Sequence, residues 1–407
     1  MIQKFEEKGY KIVNSEEEAD IYIINTCTVT NMSDRKSRQM LRRAHELNKD
    51  AIIVAVGCYA DVAKEELSKI KEINLILGNS EKKNIVDHVE NYINHNDVNI
   101  ESSEEYNEFG CITYTERTRA TIKVQDGCNN FCTYCIIPYA RGRIKSRKKE
   151  SILEEIEKIA EKGIKEVVIT GIHIASYGKD FDNNYRLIDL LEDINKIEGI
   201  ERIRIGSLEP TIINEEFCDR IKKLNKLCHH FHLSLQSGCN GTLKRMNRKY
   251  STEEFEKVVE LLRETYNDVM LTTDIIVGFP GETDEEFNIT YNFLEKIKFY
   301  KMHVFKYSIR KGTVASKMDN QVSNDIKDIR SKALIELSNK NELEYLNSYL
   351  NKKEKVLFED REGEFIKGHT ENYLLVKVKT NKDIENTIKE VKLNSIIDNN
   401  SLLGELK

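Results

Sequence analysis

The stretch ATIKVQDGCNNFCTYC, residues 120–135, places three closely spaced cysteines directly behind a strand-like run. Cys128, Cys132 and Cys135 have the spacing C-x3-C-x2-C. Three thiolates this close in sequence can hold three corners of a [4Fe–4S] cluster, and the fourth iron is then left without a protein ligand. Because the active sites of βα barrels lie at the carboxyl ends of the strands, this stretch predicts an iron–sulfur active site at the end of a barrel strand.

A structural zinc site is the alternative interpretation of these cysteines. Such a site needs four ligands, usually as paired cysteines or as cysteine and histidine pairs. Cys111 could supply a fourth ligand, but it stands alone seventeen residues before Cys128. The spacing therefore favours the cluster. The odd count of nine cysteines, in a chain that opens without a secretory signal, also argues against a disulfide framework.

Strands and amphipathic helices alternate between residues 114 and 345. The strand-like runs are ATIKVQ (120–125), EVVIT (166–170), RIRIG (202–206), HFHLSLQ (230–236), LTTDIIVG (271–278) and MHVFKYS (302–308). Six βα units are fewer than the eight of a closed TIM barrel. We therefore predict an α/β protein whose central domain is a six-unit (βα) partial TIM barrel.

The two ends of the chain predict smaller domains. Residues 1–100 also alternate strand and helix, with strand-like runs at 20–26, 51–57 and 73–78, which indicates a doubly wound parallel sheet covered on both faces. A polar stretch at 94–109 then predicts a linker. Residues 346–407 contain strand-like runs without a helix between them, which indicates a small antiparallel β-barrel.

Composition and charge limit the partners of the protein. Hydrophobic residues make up 39% and charged residues 32% of the chain, and no run approaches the ~18 apolar residues of a membrane span. We therefore expect a cytoplasmic protein with no membrane partner. The net charge of -6 argues against polyanion binding by the whole surface, but segments 35–43, 141–149 and 244–249 are basic and contain no acid. They predict a phosphate-binding surface, with solvated helix faces as the alternative.

The ends of the predicted strands carry glycine and polar residues. Gly171 follows the second strand, Ser207 and Glu209 follow the third, and Gln236 ends the fourth. Ligand groups collect at such ends in parallel βα units. Ordinary turns are the alternative for any one of them, but four beside a cysteine triad predict a cofactor cleft.

Two further cysteines share a position in the first domain. Cys27 and Cys58 each come immediately after a predicted strand, so both lie at the same edge of a parallel sheet. A lone cysteine in such a place is more often buried and inert than a ligand. Their common placement favours a second metal or cluster site.

Five segments together resemble the radical S-adenosylmethionine methylthiotransferases. They are NTCTVTNMSDRKSRQMLRRA (25–44), GCNNFCTYCIIPYARGRIKSR (127–147), TGIHIASYG (170–178), LSLQSGCNGTLKRMNRKY (233–250) and DIIVGFPGETDEEF (274–287). The TGIH and IIPYARG segments are most similar to the bacterial enzymes that act on N6-threonylcarbamoyladenosine in tRNA. The segment GHTENYLLV (368–376) resembles a TRAM RNA-binding barrel.

The resemblance implies a reaction, its cofactors and its partners. The reaction is transfer of a methylthio group to carbon 2 of this adenosine next to the anticodon, at position 37 of tRNA. Cys128, Cys132 and Cys135 are implied to hold the [4Fe–4S] cluster whose open iron binds S-adenosylmethionine, with electrons from a donor such as flavodoxin or ferredoxin. The residues implied to line the cofactor are Tyr134, Gly171, Ser207, Glu209 and Gln236.

The resemblance also implies a second [4Fe–4S] cluster, ligated by Cys27 and Cys58. The family has a third cysteine for it in a segment before the first helix, whereas this sequence begins within that helix, at IQKFEEKGY (2–10). Two thiolates are a poor ligand set for such a cluster. We therefore expect weak or no binding of a second cluster, and iron and sulfide contents of about four atoms each per chain.

The basic segment behind the cluster loop is expected to contact RNA. Its candidate residues are Arg141, Arg143, Arg147 and Lys148. Replacing Arg147 by alanine is then expected to weaken tRNA binding and to flatten its salt dependence.

Three other functions remain open from the sequence. Two share the chemistry: methylthiolation of isopentenyladenosine in tRNA, and methylthiolation of an aspartate in a ribosomal protein. The TGIH and IIPYARG segments weigh against both by resemblance. The third is a non-catalytic RNA-binding protein stabilised by a metal, which would be a colourless zinc protein that does not cleave S-adenosylmethionine.

Overall fold

The computed structural model describes residues 1–95, 118–398 and 400–407, so Cys111 and residues 96–109 of the predicted linker lie outside the described residues. The chain divides into two compact units. The first contains Met1–Tyr114, Asp126–Lys145 and Ser308–Lys317, and the second contains Thr115–Gln125, Ser146–Tyr307 and Met318–Lys407. The three domains predicted from sequence, at 1–100, 114–345 and 346–407, stay a prediction. In the two-unit division the cysteine segment groups with the amino-terminal part, and both barrels lie in the second unit.

The amino-terminal part of the first unit is a three-stranded parallel sheet with helices on both faces. In chain order its elements are α1 (Ile2–Glu7), β1 (Ile21–Thr26), α2 (Asn31–Leu47), β2 (Ile52–Gly57), α3 (Cys58–Val62), α4 (Lys64–Leu67), β3 (Leu75–Leu77) and α5 (Ile85–His95). The strands lie in the order β1-β2-β3. Leu41 of α2 and Tyr59 of α3 pack on one face, and Phe5 of α1 and Val89 of α5 pack on the other. The predicted doubly wound sheet is confirmed.

The partial barrel follows along the chain. Its elements are β4 (Arg119–Asp126), α6 (Ile137–Arg141), β5 (Lys145–Ser146), α7 (Lys149–Glu161), β6 (Glu166–Gly171), α8 (Leu187–Asn195), β7 (Arg202–Ile205), β8 (Ser207–Leu208), α9 (Glu215–Ile221), β9 (His230–Gln236), α10 (Asn240–Arg245), α11 (Thr252–Thr265), β10 (Met270–Val277), α12 (Asp284–Ile297) and β11 (Lys301–Lys306). The sheets run β5-β4-β6-β7 and β8-β9-β10-β11. Only Gly206 separates β7 from β8, so these two strands occupy one strand position. The partial barrel therefore has six parallel strand positions, β4, β6, β7 with β8, β9, β10 and β11, as the sequence predicted.

The two faces of the partial barrel differ in chemistry. In β9, Phe231, Leu233 and Leu235 belong to the core that packs under the helices. His230, His232 and the other alternate residues of this strand therefore lie on the inner, concave face, because successive side chains of a strand point to opposite sides. The inner face is polar and partly open, which suits it to bind ligands.

The carboxy-terminal segment forms a small barrel within the second unit. After α13 (Asn324–Ser348) come β12 (Lys353–Glu362), β13 (Phe365–Thr370), β14 (Leu375–Lys379), β15 (Ile388–Ile397) and β16 (Ser401–Leu406). They close in the order β12-β13-β14-β16-β15. The prediction of an antiparallel barrel needs one correction, because β14 and β16 pair in parallel. β14 and β16 are not consecutive in the chain, so the order of the strand-like runs in the sequence could not show that they pair.

Two arginines of β7 attach this small barrel to the partial barrel. Arg202 donates to the carbonyl oxygens of His369 and Lys355 at 2.9 and 2.7 Å. Arg204 donates to the carbonyl oxygen of Glu371 at 3.1 Å. Both guanidinium groups are buried, so the contact is a fixed part of the second unit. Throughout the described residues, no helix is both long and apolar enough to span a bilayer.

Candidate active site

The cysteine loop begins directly after β4, and the loop itself belongs to the first unit. Gly127 has a φ of +69°, and a Cβ placed on it would lie 1.8 Å from the carbonyl oxygen of Arg143. Only glycine fits this conformation and this close approach. The next residue, Cys128, donates its backbone N–H to the carbonyl oxygen of Gly142 at 3.1 Å. The loop therefore folds back on its own continuation, and Gly127 makes that return possible.

Further contacts fix the rest of the loop. The backbone N–H of Cys135 donates to the carbonyl oxygen of Cys132 at 2.9 Å, and that of Ala315 donates to the carbonyl oxygen of Thr133 at 2.8 Å. The Arg143 guanidinium lies 4.8 Å from the centre of the Phe131 ring. These bonds position the cysteines before any ligand is bound.

The donor set of this loop fits a cluster with one open corner. Cys128, Cys132 and Cys135 carry thiols that are not joined in disulfides, and all three are partly exposed, as metal-ligating thiols need to be. They provide three sulfur donors, in agreement with the three filled corners expected from their spacing. Tyr134, between the second and third of them, is also partly exposed.

Three other cysteines have a different character. Cys218, Cys228 and Cys239 are buried. Burial raises the pKa of Cys228 to about 12 and also raises the pKa of Cys218. A thiol that stays protonated at neutral pH is a poor metal ligand. Cys218 and Cys228 therefore belong to the packing of the second unit, and burial alone places Cys239 there as well.

Cys27 and Cys58 follow two neighbouring strands of the amino-terminal sheet. Thr26 at the end of β1 and Gly57 at the end of β2 are register partners, so the two cysteines start at the same sheet edge. Cys27 is exposed and Cys58 is buried. The Arg141 Nε lies 3.1 Å from the Cys58 sulfur. A guanidinium at this distance would offset negative charge on a ligand that binds there.

The strand ends of the second unit carry the predicted cofactor residues. Gly171 ends β6, where an added Cβ would lie 2.9 Å from the carbonyl oxygen of Gln125. Ser207 is exposed and its hydroxyl lies 2.8 Å from that of Ser234. Gln236 ends β9 with a φ of +71°, an uncommon backbone conformation for a residue with a side chain. Such strain is typical of sites where backbone geometry serves ligand binding.

Glu209 belongs to a network that the sequence did not show. It is 6% exposed, and its carboxylate pairs with Arg248 at 3.0 Å and with the His173 Nε2. The His173 Nδ1 lies 2.5 Å from the Ser176 hydroxyl. The network joins residues 173, 209 and 248, which are distant in sequence. The one sequence signal for it was the position of His173 two residues after a strand end.

Sequence comparisons identify the family of this chain. Residues 122–294 match the radical SAM superfamily, and residues 1–78 match uncharacterized protein family UPF0004. The chain is 40% identical to the threonylcarbamoyladenosine tRNA methylthiotransferase MtaB of Bacillus subtilis, over 96% of this chain and 89% of the relative. It is 41% identical to the enzyme of the same name from Aquifex aeolicus, over 94% and 93% of the two chains.

This chain belongs to the radical S-adenosylmethionine methylthiotransferase family. Membership implies a [4Fe–4S] cluster and S-adenosylmethionine as cofactors. A tRNA-2-methylthio-N(6)-dimethylallyladenosine synthase of Thermoanaerobacter pseudethanolicus is also similar, with 36% identity over 98% of this chain and 84% of the relative.

A solved structure shares the fold at low identity. The radical S-adenosylmethionine methyltransferase TsrM from Kitasatospora setae matches with a TM-score of 0.55 and 16% identity, over 74% of this chain and 64% of that chain. At this identity the likeness shows the architecture alone, which agrees with the six parallel strand positions described above.

The four basic residues predicted to contact RNA differ in their surroundings in this methylthiotransferase. Arg143 and Lys148 are exposed. Arg141 is mostly buried and pairs with Asp126 at 3.2 Å, besides its contact with Cys58. Arg147 is 6% exposed, and its guanidinium pairs with Glu155 and donates to the Ser151 hydroxyl at 2.8 Å. The prediction that Arg147 faces RNA is therefore wrong in this structure, and Arg141 has internal partners instead of an open surface.

Replacing Arg147 by alanine is expected to lower stability instead of tRNA affinity. The variant removes the guanidinium that pairs with Glu155, whose carboxylate is buried at 3% exposure. Loss of one member of a buried ion pair costs roughly 3–5 kcal/mol. Thermal unfolding measures this effect, and Lys148→Ala, which changes an exposed neighbour, is the matched control. A drop in tRNA affinity at unchanged melting temperature would contradict this assignment.

Proposed function

We propose that this enzyme transfers a methylthio group to carbon 2 of N6-threonylcarbamoyladenosine at position 37 of tRNA. The observation that carries the proposal is the 40% identity to a threonylcarbamoyladenosine tRNA methylthiotransferase across 96% of this chain. The cysteine loop supports it, because it offers three thiol donors on a fixed backbone. The chemistry requires one open cluster corner, and this donor set leaves one.

Each residue of the proposed site has a separate task. Cys128, Cys132 and Cys135 hold the cluster, which when bound supplies the electron that cleaves S-adenosylmethionine. In the second unit, Gly171 is proposed to line the cofactor surface at the end of β6, where its lack of a Cβ leaves room for the Gln125 carbonyl oxygen. Gln236 presents an amide that makes no side-chain hydrogen bond to any described residue, so both its donor and its acceptor are available to the cofactor.

Glu209 is held ready by its neighbours. Arg248 and His173 bind its two carboxylate oxygens, so the carboxylate keeps one orientation. We propose that this fixed acceptor, with Ser207, contributes to the cofactor surface of the second unit, and that Tyr134 contributes from the cysteine loop. Preorganised polar groups of this kind bind a ligand without a cost of reordering.

Exposed basic residues are proposed to bind the tRNA phosphates. In the first unit they are Arg35, Lys36, Arg42 and Arg143, and in the second unit they include Lys148 and Lys244. Phosphate contacts supply affinity that falls as salt rises. The TRAM-like barrel at 353–406 is proposed as a further RNA contact.

We also propose a cytoplasmic location, since the substrate is tRNA. We propose that a flavodoxin or ferredoxin supplies the electrons that reduce the cluster.

The test is mass spectrometry of nucleosides from tRNA of cells with and without this gene. Loss of 2-methylthio-N6-threonylcarbamoyladenosine, together with accumulation of its parent nucleoside, is the expected result. Restoration by the wild-type gene and not by a Cys132→Ala gene ties the effect to the cluster loop.

Other outcomes would overturn the substrate assignment. If 2-methylthio-N6-isopentenyladenosine disappears instead, the enzyme modifies the other adenosine, as the relative from Thermoanaerobacter pseudethanolicus does by name. If neither nucleoside changes, the substrate is another modified adenosine or a ribosomal protein.

A further inference from the structure

Three neighbouring strands of the second unit bring two histidines and an aspartate together. His232 lies on β9, Asp274 on β10 and His303 on β11. One ligand atom from each of these side chains lies within 4.8 Å of the other two. The His232 Nε2 is 3.3 Å from a carboxylate oxygen of Asp274, and the two imidazole rings are 5.7 Å apart. None of these three residues stands out in the sequence, because nothing local to any one of them points to the other two.

The register of the strands explains the convergence. Asp274 and His303 are direct partners across β10 and β11. His232 pairs with Thr272, two residues before Asp274 on the same side of β10. The pairing of β9 and β10 shifts between Thr273 and Ile275, which is the position of Asp274. Irregularities of this kind redirect side chains and are frequent beside functional sites.

A hydroxyl group orients the ring of His232. The Thr272 Oγ1 lies 3.0 Å from the His232 Nδ1 and 3.1 Å from the Nε2 of His230. When the His232 Nδ1–H donates to this oxygen, the Nε2 lone pair points into the cluster. An outer hydrogen bond of this type fixes the tautomer of most metal-ligating histidines.

The charge and exposure of the cluster suit a cation. The Asp274 side chain is 31% exposed and that of His232 is 16% exposed, while His303 is exposed. In the described part of the chain, no arginine or lysine pairs with the Asp274 carboxylate. The nearby cation Lys301 is paired with Glu342 at 2.9 Å. A positive ion can therefore reach the cluster from solvent and find an uncompensated carboxylate.

We propose that His232, Asp274 and His303 bind a divalent transition-metal ion on the inner face of the partial barrel. Two imidazoles and one carboxylate on one side of an ion form a ligand set that suits Fe²⁺ or Zn²⁺ and leaves positions open for water or another oxygen ligand. Ser207 is the register partner of His232, and Gln236 is the register partner of Ile275, which follows Asp274, so this site adjoins the proposed cofactor surface. It does not depend on the identity of the tRNA substrate.

The test is equilibrium dialysis of the protein, loaded with its iron–sulfur cluster, against Zn²⁺, followed by metal analysis. The variants are Asp274→Asn and His303→Ala, and the control is His229→Ala. His229 precedes β9 and pairs with Asp268 at 2.8 Å. Its loss also removes an imidazole beside a carboxylate, but it leaves His232, Asp274 and His303 in place. The absorbance of the iron–sulfur cluster is recorded in parallel to show that Zn²⁺ has not displaced its iron.

We expect wild type and His229→Ala to bind about one Zn²⁺ per chain more than Asp274→Asn and His303→Ala. Zinc held by cysteine thiols is common to all four proteins and cancels in this difference. Equal zinc contents in the four proteins would overturn the proposal. His303 is exposed, so His303→Ala keeps the test valid if Asp274→Asn does not fold.

Discussion

Replacing Cys132 by alanine is expected to abolish the cleavage of S-adenosylmethionine. The variant leaves Cys128 and Cys135 as two of the three thiolates that the cluster needs. The expected iron content falls by about four atoms per chain, because a [4Fe–4S] cluster with two ligands is not retained. Iron and sulfide analysis and the yield of 5′-deoxyadenosine after reduction measure the two effects together.

A matched control separates loss of the cluster from loss of a cysteine. Cys228→Ala removes a buried thiol whose high pKa keeps it protonated, so the cluster and the reaction should persist. Any iron that remains bound to the Cys132→Ala variant would measure the iron held by Cys27 and Cys58. A variant with unchanged iron and unchanged 5′-deoxyadenosine would show that the loop at 128–135 is not the reactive cluster site.

The strands and the cysteine loop could be predicted because their signals are local. A run such as EVVIT at 166–170 is apolar, β-branched and bounded by polar residues, and β6 extends over Glu166–Gly171. The same holds for HFHLSLQ, which coincides with β9. The spacing of the three cysteines is also local. Such features depend on neighbours within a few residues, which the sequence displays directly.

The errors and omissions arose where the partner was distant or its direction was hidden. Arg147 stands in a basic run, but its partner Glu155 lies one α7 turn beyond Ser151 and faces inward. The carboxylate of Asp274 meets His232 and His303 only after three strands have taken their register. Nothing in the intervening sequence encodes that register. Long-range pairing of this kind is a property of the fold.

Replacing Gly127 by alanine is expected to remove most of the cluster without removing a ligand. The added Cβ would lie 1.8 Å from the Arg143 carbonyl oxygen and 2.8 Å from that of Gly142, and backbone atoms cannot move aside as a flexible side chain can. Gly127 also has a φ of +69°, where alanine is strained by roughly 1–2 kcal/mol. Relief requires the loop to open, which breaks the bond from the Cys128 N–H to Gly142.

The control for this variant is Gly163→Ala. Gly163 has a φ of +82°, but an added Cβ there would meet nothing within 4 Å. Both variants therefore have the cost of a left-handed alanine, and only Gly127→Ala has the backbone collision. We expect Gly163→Ala to lose about 1 kcal/mol of stability and to keep its iron. If Gly127→Ala also keeps its iron and its 5′-deoxyadenosine yield, the loop does not need its closed form to hold the cluster. If only Gly127→Ala loses them, the position of the three cysteines depends on a residue that ligates nothing.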